Sequence, residues 1–185
     1  MFIQTEETPN PATLKFLPGR TVMAEGTAYF ADPQSADASP LATRLFAVPG
    51  VREVFFGGDF ITVAKSQDRE WHLLKPAILG IVMEHFAAGK PVMAPPPSDD
   101  TGPSEEVEDD EIVIQIKELL DQRVRPAVAM DGGDIVFRGF DKGVVYLHMQ
   151  GACAGCPSST ATLKMGIENM LRHYIPEVVE VRAVV

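Results

Sequence analysis

Cys153 and Cys156 are the only cysteines of the chain, and they stand together in Gly151-Ala-Cys-Ala-Gly-Cys-Pro-Ser-Ser159. A two-residue gap lets both sulfurs converge on one metal ion or one cluster, or lets them exchange electrons as a dithiol. Tetrahedral zinc and cubane iron–sulfur sites usually take four protein ligands, and this chain offers two. A metal held by the pair must draw its other ligands from elsewhere, most simply from a second copy of the chain. A structural zinc bridging two chains and a thioredoxin-like dithiol oxidoreductase are the readings that compete with a cluster. Pro176, ahead of a strand, suits the redox reading, whereas the aromatic residue that often flanks redox pairs is missing before Cys153.

The elements around the pair are legible. Alternation in Val144–Met149 predicts a strand with Val145, Leu147 and Met149 on one face and Val144, Tyr146 and His148 on the other, more solvated one. His148 is therefore not expected to be a ligand. Ser158–Tyr174 predicts a helix with Leu163, Ile167, Met170 and Leu171 on one side, and Pro157 suits its first position. The cysteine loop thus joins a strand to a helix N-terminus. The unpaired amides and dipole of that terminus predict stabilised thiolates at Cys153 and Cys156. Gly151 and Gly155 allow a tight turn, while Ala152 and Ala154 leave room beside the sulfurs. Upstream, Ile112–Val124 carries a helical stripe, and Met130-Asp-Gly-Gly-Asp134 predicts a turn shaped by Asp131 and Asp134. Ile135–Phe140 pairs with Val144–Met149 across Asp141-Lys142-Gly143, and Val178–Val185 reads as a final strand. Arg123 and Arg125 suit either an anionic site or a solvated helix end. The order α-β-β-α-β predicts a compact α+β domain over residues 112–185.

Residues 1–90 read as a second small α+β domain. Strand signals fall at Phe2–Thr5, Thr13–Leu17 and Thr27–Phe30. Ser39 caps a helix that begins at Pro40. Val51–Phe56 and Phe60–Ala64 form a hairpin around Gly57-Gly58-Asp59. A helix from Arg69 to Ala88 follows, with Pro76 expected to bend it or confine its regular part to the later turns. His72 and His85 on that helix read as surface or helix-end residues.

Between the two domains, residues 91–111 hold eight acids and no base. Residues 1–90 hold ten acids and eight bases, and residues 112–185 hold eight of each. Nearly all of the net charge of −10 therefore belongs to one proline-rich acidic stretch, a spacer expected to stay extended. Neither flanking domain has the basic excess of a nucleic-acid binder. No apolar run approaches the roughly 20 residues of a membrane span. The first residues lack a signal or transit pattern, which makes a cytoplasmic bacterial protein the expectation and a processed mitochondrial form the alternative.

Met130-Asp-Gly-Gly-Asp-Ile135, the cysteine loop and Thr162-Leu-Lys-Met-Gly-Ile-Glu168 closely resemble the C-terminal domain of NifU, the Nfu module. Glu7-Thr-Pro-Asn-Pro-Ala-Thr-Leu-Lys-Phe16 with Leu74-Lys-Pro-Ala-Ile78 resembles the N-terminal domain of two-domain Nfu proteins. The resemblance implies a non-enzymatic scaffold or carrier of a [4Fe-4S] cluster. Its ligands would be Cys153 and Cys156 from each of two chains, forming a homodimer when loaded. It also implies an upstream cluster donor and apo-protein clients such as lipoyl synthase and aconitase-type enzymes.

Overall fold

A computed structural model describes residues 2–94, 111–154 and 157–184, the last span with side chains from Thr160 onward. Cys156 and the acidic run 95–110 lie outside the described residues. The chain divides into two compact α+β units, Met1–Pro97 and Ser98–Val185.

The first unit is built on an antiparallel sheet of five strands in the order β1-β2-β5-β4-β3. They are β1 (Gln4–Glu7), β2 (Thr13–Leu17), β3 (Ala28–Phe30), β4 (Val51–Phe56) and β5 (Ile61–Lys65). Alternation places Leu14, Phe16, Val54, Phe56, Ile61 and Val63 in one core with the buried faces of α1 (Pro40–Phe46) and α2 (Trp71–Ala87). The Ser39 side chain accepts from the Ala42 N–H at 3.1 Å, so the expected cap and its following proline are in place. Helix α2 runs through Pro76. The carbonyl this proline leaves without a donor is that of His72, an exposed residue that water can serve.

Two expectations are corrected here. His85 stands in the last turn of α2, a helix-end residue as expected, but it is fully buried rather than on the surface. It falls on the same stripe as Leu74, Ile78 and Val82, the inward face of α2. The spacer, in turn, does not begin at residue 91. Pro91–Ala94 are held on the first unit: His85 Nε2 lies 3.0 Å from the Pro91 carbonyl, the Ser39 hydroxyl donates to the Val92 carbonyl, and the Ala94 N–H donates to Ala38 O at 2.8 Å. Val92 and Met93 pack on the core.

The second unit has three strands ordered β6-β7-β8: β6 (Gly133–Asp141), β7 (Val144–Gly151) and β8 (Glu180–Val184). β6 and β7 form an antiparallel hairpin, whose loop residues Lys142 and Gly143 have φ of 49° and 82°. β8 runs parallel to β7, which requires the crossover that α5 (Pro157–Tyr174) supplies. Ile135, Val145, Leu147, Met149 and Val181 share a core with Ile167 and Leu171 of α5. Ile116, Leu120, Val124 and Val128 from the helical segment before β6 complete it. That segment is longer than expected. It runs as α3 (Glu111–Leu119), one π turn (Leu120–Val124) and α4 (Arg125–Met130). Pro126 explains the π turn, because its ring would collide with the carbonyl four residues back and it has no N–H to give. Widening one turn, with the Arg125 N–H bonded to Leu120 O, carries the helix past it.

Among the described residues no helix is long and apolar enough to cross a membrane.

Candidate metal centre

The cysteine loop leaves the sheet at the carboxyl end of β7 and enters α5. This strand-to-helix junction is where open α/β arrangements expose backbone amides to a ligand. Gly151 makes the exit with φ of 65°, a left-handed conformation that disfavours any side chain. The Ala154 N–H donates to Gly151 O at 3.1 Å and the Ala152 N–H to Gly132 O at 3.2 Å, so the loop is tied to itself and to the turn before β6. On the other side, the Thr160 hydroxyl donates to Cys153 O at 3.1 Å, which joins the loop to the first turn of α5.

Cys153 is 8% exposed and belongs to the core of its unit. Its closest constraint is Gly133, where a β-carbon would sit 2.5 Å from Sγ, 2.9 Å from Gln150 O and 3.0 Å from the Cys153 nitrogen. The sulfur therefore occupies the space that a side chain at 133 would fill. Burial pushes the Cys153 thiol up to about 12, and the nearby carboxylates of Asp131 and Asp134 push in the same direction. The expectation of a stabilised thiolate at this residue is corrected: in the metal-free chain Cys153 is a neutral, covered thiol. Metal binding at Cys153 must displace a proton.

Behind the loop stands a polar clamp that the sequence reading missed. The Arg125 Nε and Nη2 groups donate to the two carboxylate oxygens of Asp134 at 2.9 and 2.8 Å, and Nη1 donates to Asp121 at 3.0 Å. Asp134 is 3% exposed and also accepts from the Ile135 N–H at 2.8 Å. Its hydrogen bonds drive the Arg125 pKa further up against the opposing effect of burial. The clamp fixes α4 against the start of β6, next to Gly133. Neither of the earlier readings of Arg125 describes this, and a signal was present: Arg125 and Asp134 bracket a Gly-Gly turn that brings them face to face. Arg123 lies over the Tyr174 ring, 5.1 Å from its centroid, which settles that side chain on α5. His148 Nδ1 lies 3.2 Å from Val184 O, so the ring is engaged with β8 on the face away from the core. Among the described residues no group of three His, Cys, Asp or Glu side chains converges as a metal site.

Residues 3–89 match the family model for the scaffold protein Nfu/NifU N-terminal domain, and residues 116–182 match the NifU-like domain. A protein of Drosophila virilis named NFU1 iron–sulfur cluster scaffold homolog, mitochondrial, is 55% identical over 186 residues, an alignment covering 100% of this chain and 62% of that protein. Its namesake in Drosophila sechellia is 54% identical over 189 residues, covering 100% and 65%. The chain thus spans somewhat less than two thirds of the length of these relatives. A NifU-like protein of Saccharomyces cerevisiae, solved by NMR, is 28% identical at a TM-score of 0.47, covering 51% of this chain and 85% of that one. The mitochondrial names overturn the expectation of a cytoplasmic bacterial protein.

Proposed function

The chain belongs to the Nfu/NifU family, and from that premise we propose that it is a mitochondrial scaffold that carries a [4Fe-4S] cluster between two copies of itself and passes it to apo-proteins. The observation that carries this reading is the ligand count. One thiol sits at the mouth of α5, one more stands three residues on in the sequence, and the chain has no third. Two chains together supply the four thiolates a cubane cluster takes. Gly133 supports it too, because a glycine there leaves the sulfur lodged against bare backbone.

The cluster is cargo, and the residues of this chain are suited to hold it lightly. Cys153 must give up a proton to bind and regains it on release, so departure restores a stable neutral thiol. A client cysteine that arrives as a thiolate can replace it, and a ligand set split between two chains leaves no single chain with a closed cage. No bond of the cargo is made or broken catalytically; the protein is a scaffold and not an enzyme.

Anaerobic native mass spectrometry of protein purified without chelator tests the proposal. A dimer heavier by one four-iron cluster is expected, lost on Cys153→Ala and on Cys156→Ala with the fold retained. A dimer holding one zinc, or a metal-free monomer two protons light, would overturn it in favour of a structural or a redox role.

A further inference from the structure

The first unit contains no cysteine, so any part it plays in a carrier's work is played without thiol ligands. A cavity of about 430 Å³ opens between β1, the Thr8–Thr13 turn and the first turns of α2, a size within the range of ligand sites. Much of the polar surface around it is spent within the chain. The Thr8 hydroxyl donates to Asn10 O at 2.8 Å and contacts the Thr13 hydroxyl, Asn10 Oδ1 accepts from the Ala12 N–H at 3.0 Å, and the Trp71 Nε1–H donates to Pro11 O at 3.1 Å. These bonds hold the rim in place. Two side chains stand apart from them: Glu7 on β1 and Lys75 on α2 line the same cavity, yet neither side chain bonds to the other or to any described residue. The cavity is thus dipolar, with one free charge of each sign on two different walls.

Beside it the sheet ends. β1 is the outermost strand, and Gln4, Glu6 and Glu7 are exposed. An outer strand carries a row of free backbone donors and acceptors, which extended peptides use by adding a further strand. Alternation turns Thr5 and Glu7 toward the cavity and Gln4 and Glu6 to the other face. Just ahead of the strand, Phe2 leaves 80% of its surface bare.

We propose that β1 and this cavity are a docking site for an extended segment of a client protein. The segment lies along the free edge and directs a basic and an acidic side chain, two residues apart, to Glu7 and Lys75. Residues i and i+2 of a strand share a face at a spacing of about 7 Å, so one strand presents both charges to both walls. A segment with two like charges meets repulsion at one wall, and an uncharged segment leaves both unanswered. The inference deepens the carrier reading and rests on it for the identity of the partner.

The chain has a single tryptophan, and it lines this cavity, so Trp71 emission reports occupancy without any cluster. The cluster-free full chain is titrated with the capped peptide Val-Lys-Val-Glu-Val and, in parallel, with its Val-Ala-Val-Ala-Val counterpart. A saturable emission change with Kd below about 1 mM is expected for the charged peptide, at least roughly fivefold tighter than for the alanine one. The double variant Glu7→Gln, Lys75→Gln changes only exposed or half-buried side chains and should abolish the difference while its circular dichroism stays wild-type. No saturable change, or equal binding of the two peptides, or an unaltered preference in the double variant would overturn the site. Cluster loading is read separately by mass: a chain that binds the peptide but never a cluster would sink the carrier reading alone, and the converse would sink the docking site alone.

Discussion

Replacing Gly133 by alanine adds a single methyl group, and the surroundings of that methyl determine the result. It would lie 2.5 Å from Cys153 Sγ, about 0.9 Å inside the shortest ordinary contact of 3.4 Å. The sulfur could swing away, but Gln150 O at 2.9 Å and the Cys153 nitrogen at 3.0 Å are backbone, fixed by the pairing of Gly133 with Gly151. The start of β6 and the cysteine loop must therefore separate. Overpacking of this kind costs about 1–3 kcal/mol, which is roughly a 5- to 150-fold change in the folding equilibrium. Urea unfolding of the full chain offers an internal control, because Trp71 reports only the first unit while circular dichroism reports both. The Trp71 transition should keep its midpoint, and the dichroism should gain an earlier phase. Iron retained after anaerobic reconstitution should fall at least tenfold. Gly139→Ala, in the same strand but with nothing within 4 Å of its β-carbon, is the matched control. A Gly133→Ala chain that unfolds and binds iron as Gly139→Ala does would refute the argument that this glycine makes room for the sulfur.

Three further perturbations have determinate outcomes. Asp134→Asn removes the carboxylate that receives two Arg125 N–H groups and should cost the second unit about 1–3 kcal/mol, less than a fully buried pair because the Arg125 side chain is 38% exposed; its denaturation midpoint checks this. His85 is held below its ordinary pKa, chiefly by burial, with Arg44 and Lys90 adding to that and the Pro91 hydrogen bond opposing it. A depressed histidine disfavours the protonated form in the fold, so stability is full above the unfolded value of about 6.5 and is lost as pH falls below it. The Trp71 unfolding midpoint should drop between pH 7.5 and 5.5 in the wild type, with a smaller drop in His85→Gln. Lys142→Asn, at φ of 49° in a two-residue hairpin loop, should raise the thermal midpoint of the second unit by reducing strain of about 0.5–1 kcal/mol.

Patterns confined to one element were readable in the sequence. The alternation of Val144–Met149, the Ser39-Pro40 cap and the Lys142-Gly143 turn each specify a local conformation that no distant residue contests. Misreadings arose where the deciding partner lay elsewhere in the chain. The helical stripe reads as ending at Val124, yet the helix continues to Met130: core contacts of Val124 and Val128 outweigh the hydrogen bond that Pro126 removes, and a π turn absorbs its ring. Cys153 reads as a stabilised thiolate because a helix follows it; what covers it includes Gly133, 20 residues earlier, brought there by the β6–β7 pairing. His85 lies at the helix end as its position indicates, but its spacing from Leu74, Ile78 and Val82 marks it as inward-facing and not solvated. Pro91–Ala94 resemble the spacer in composition, and only the groups that receive them, Ala38 and Ser39 just before α1 and His85 on α2, separate them from it.

The covered thiol of Cys153 bears on how a scaffold survives its idle intervals. Thiolates attack peroxides and disulfides, and the oxidant needs access to the sulfur. A sulfur that is both protonated and enclosed offers neither, so the vacant protein resists being driven to sulfenic acid or a mixed disulfide at this position. Chelation and damage draw on the same reactive form, and here that form is generated by the arrival of the cargo instead of being kept standing. The proton given up on loading and regained on release is the counterpart of a long shelf life between loads.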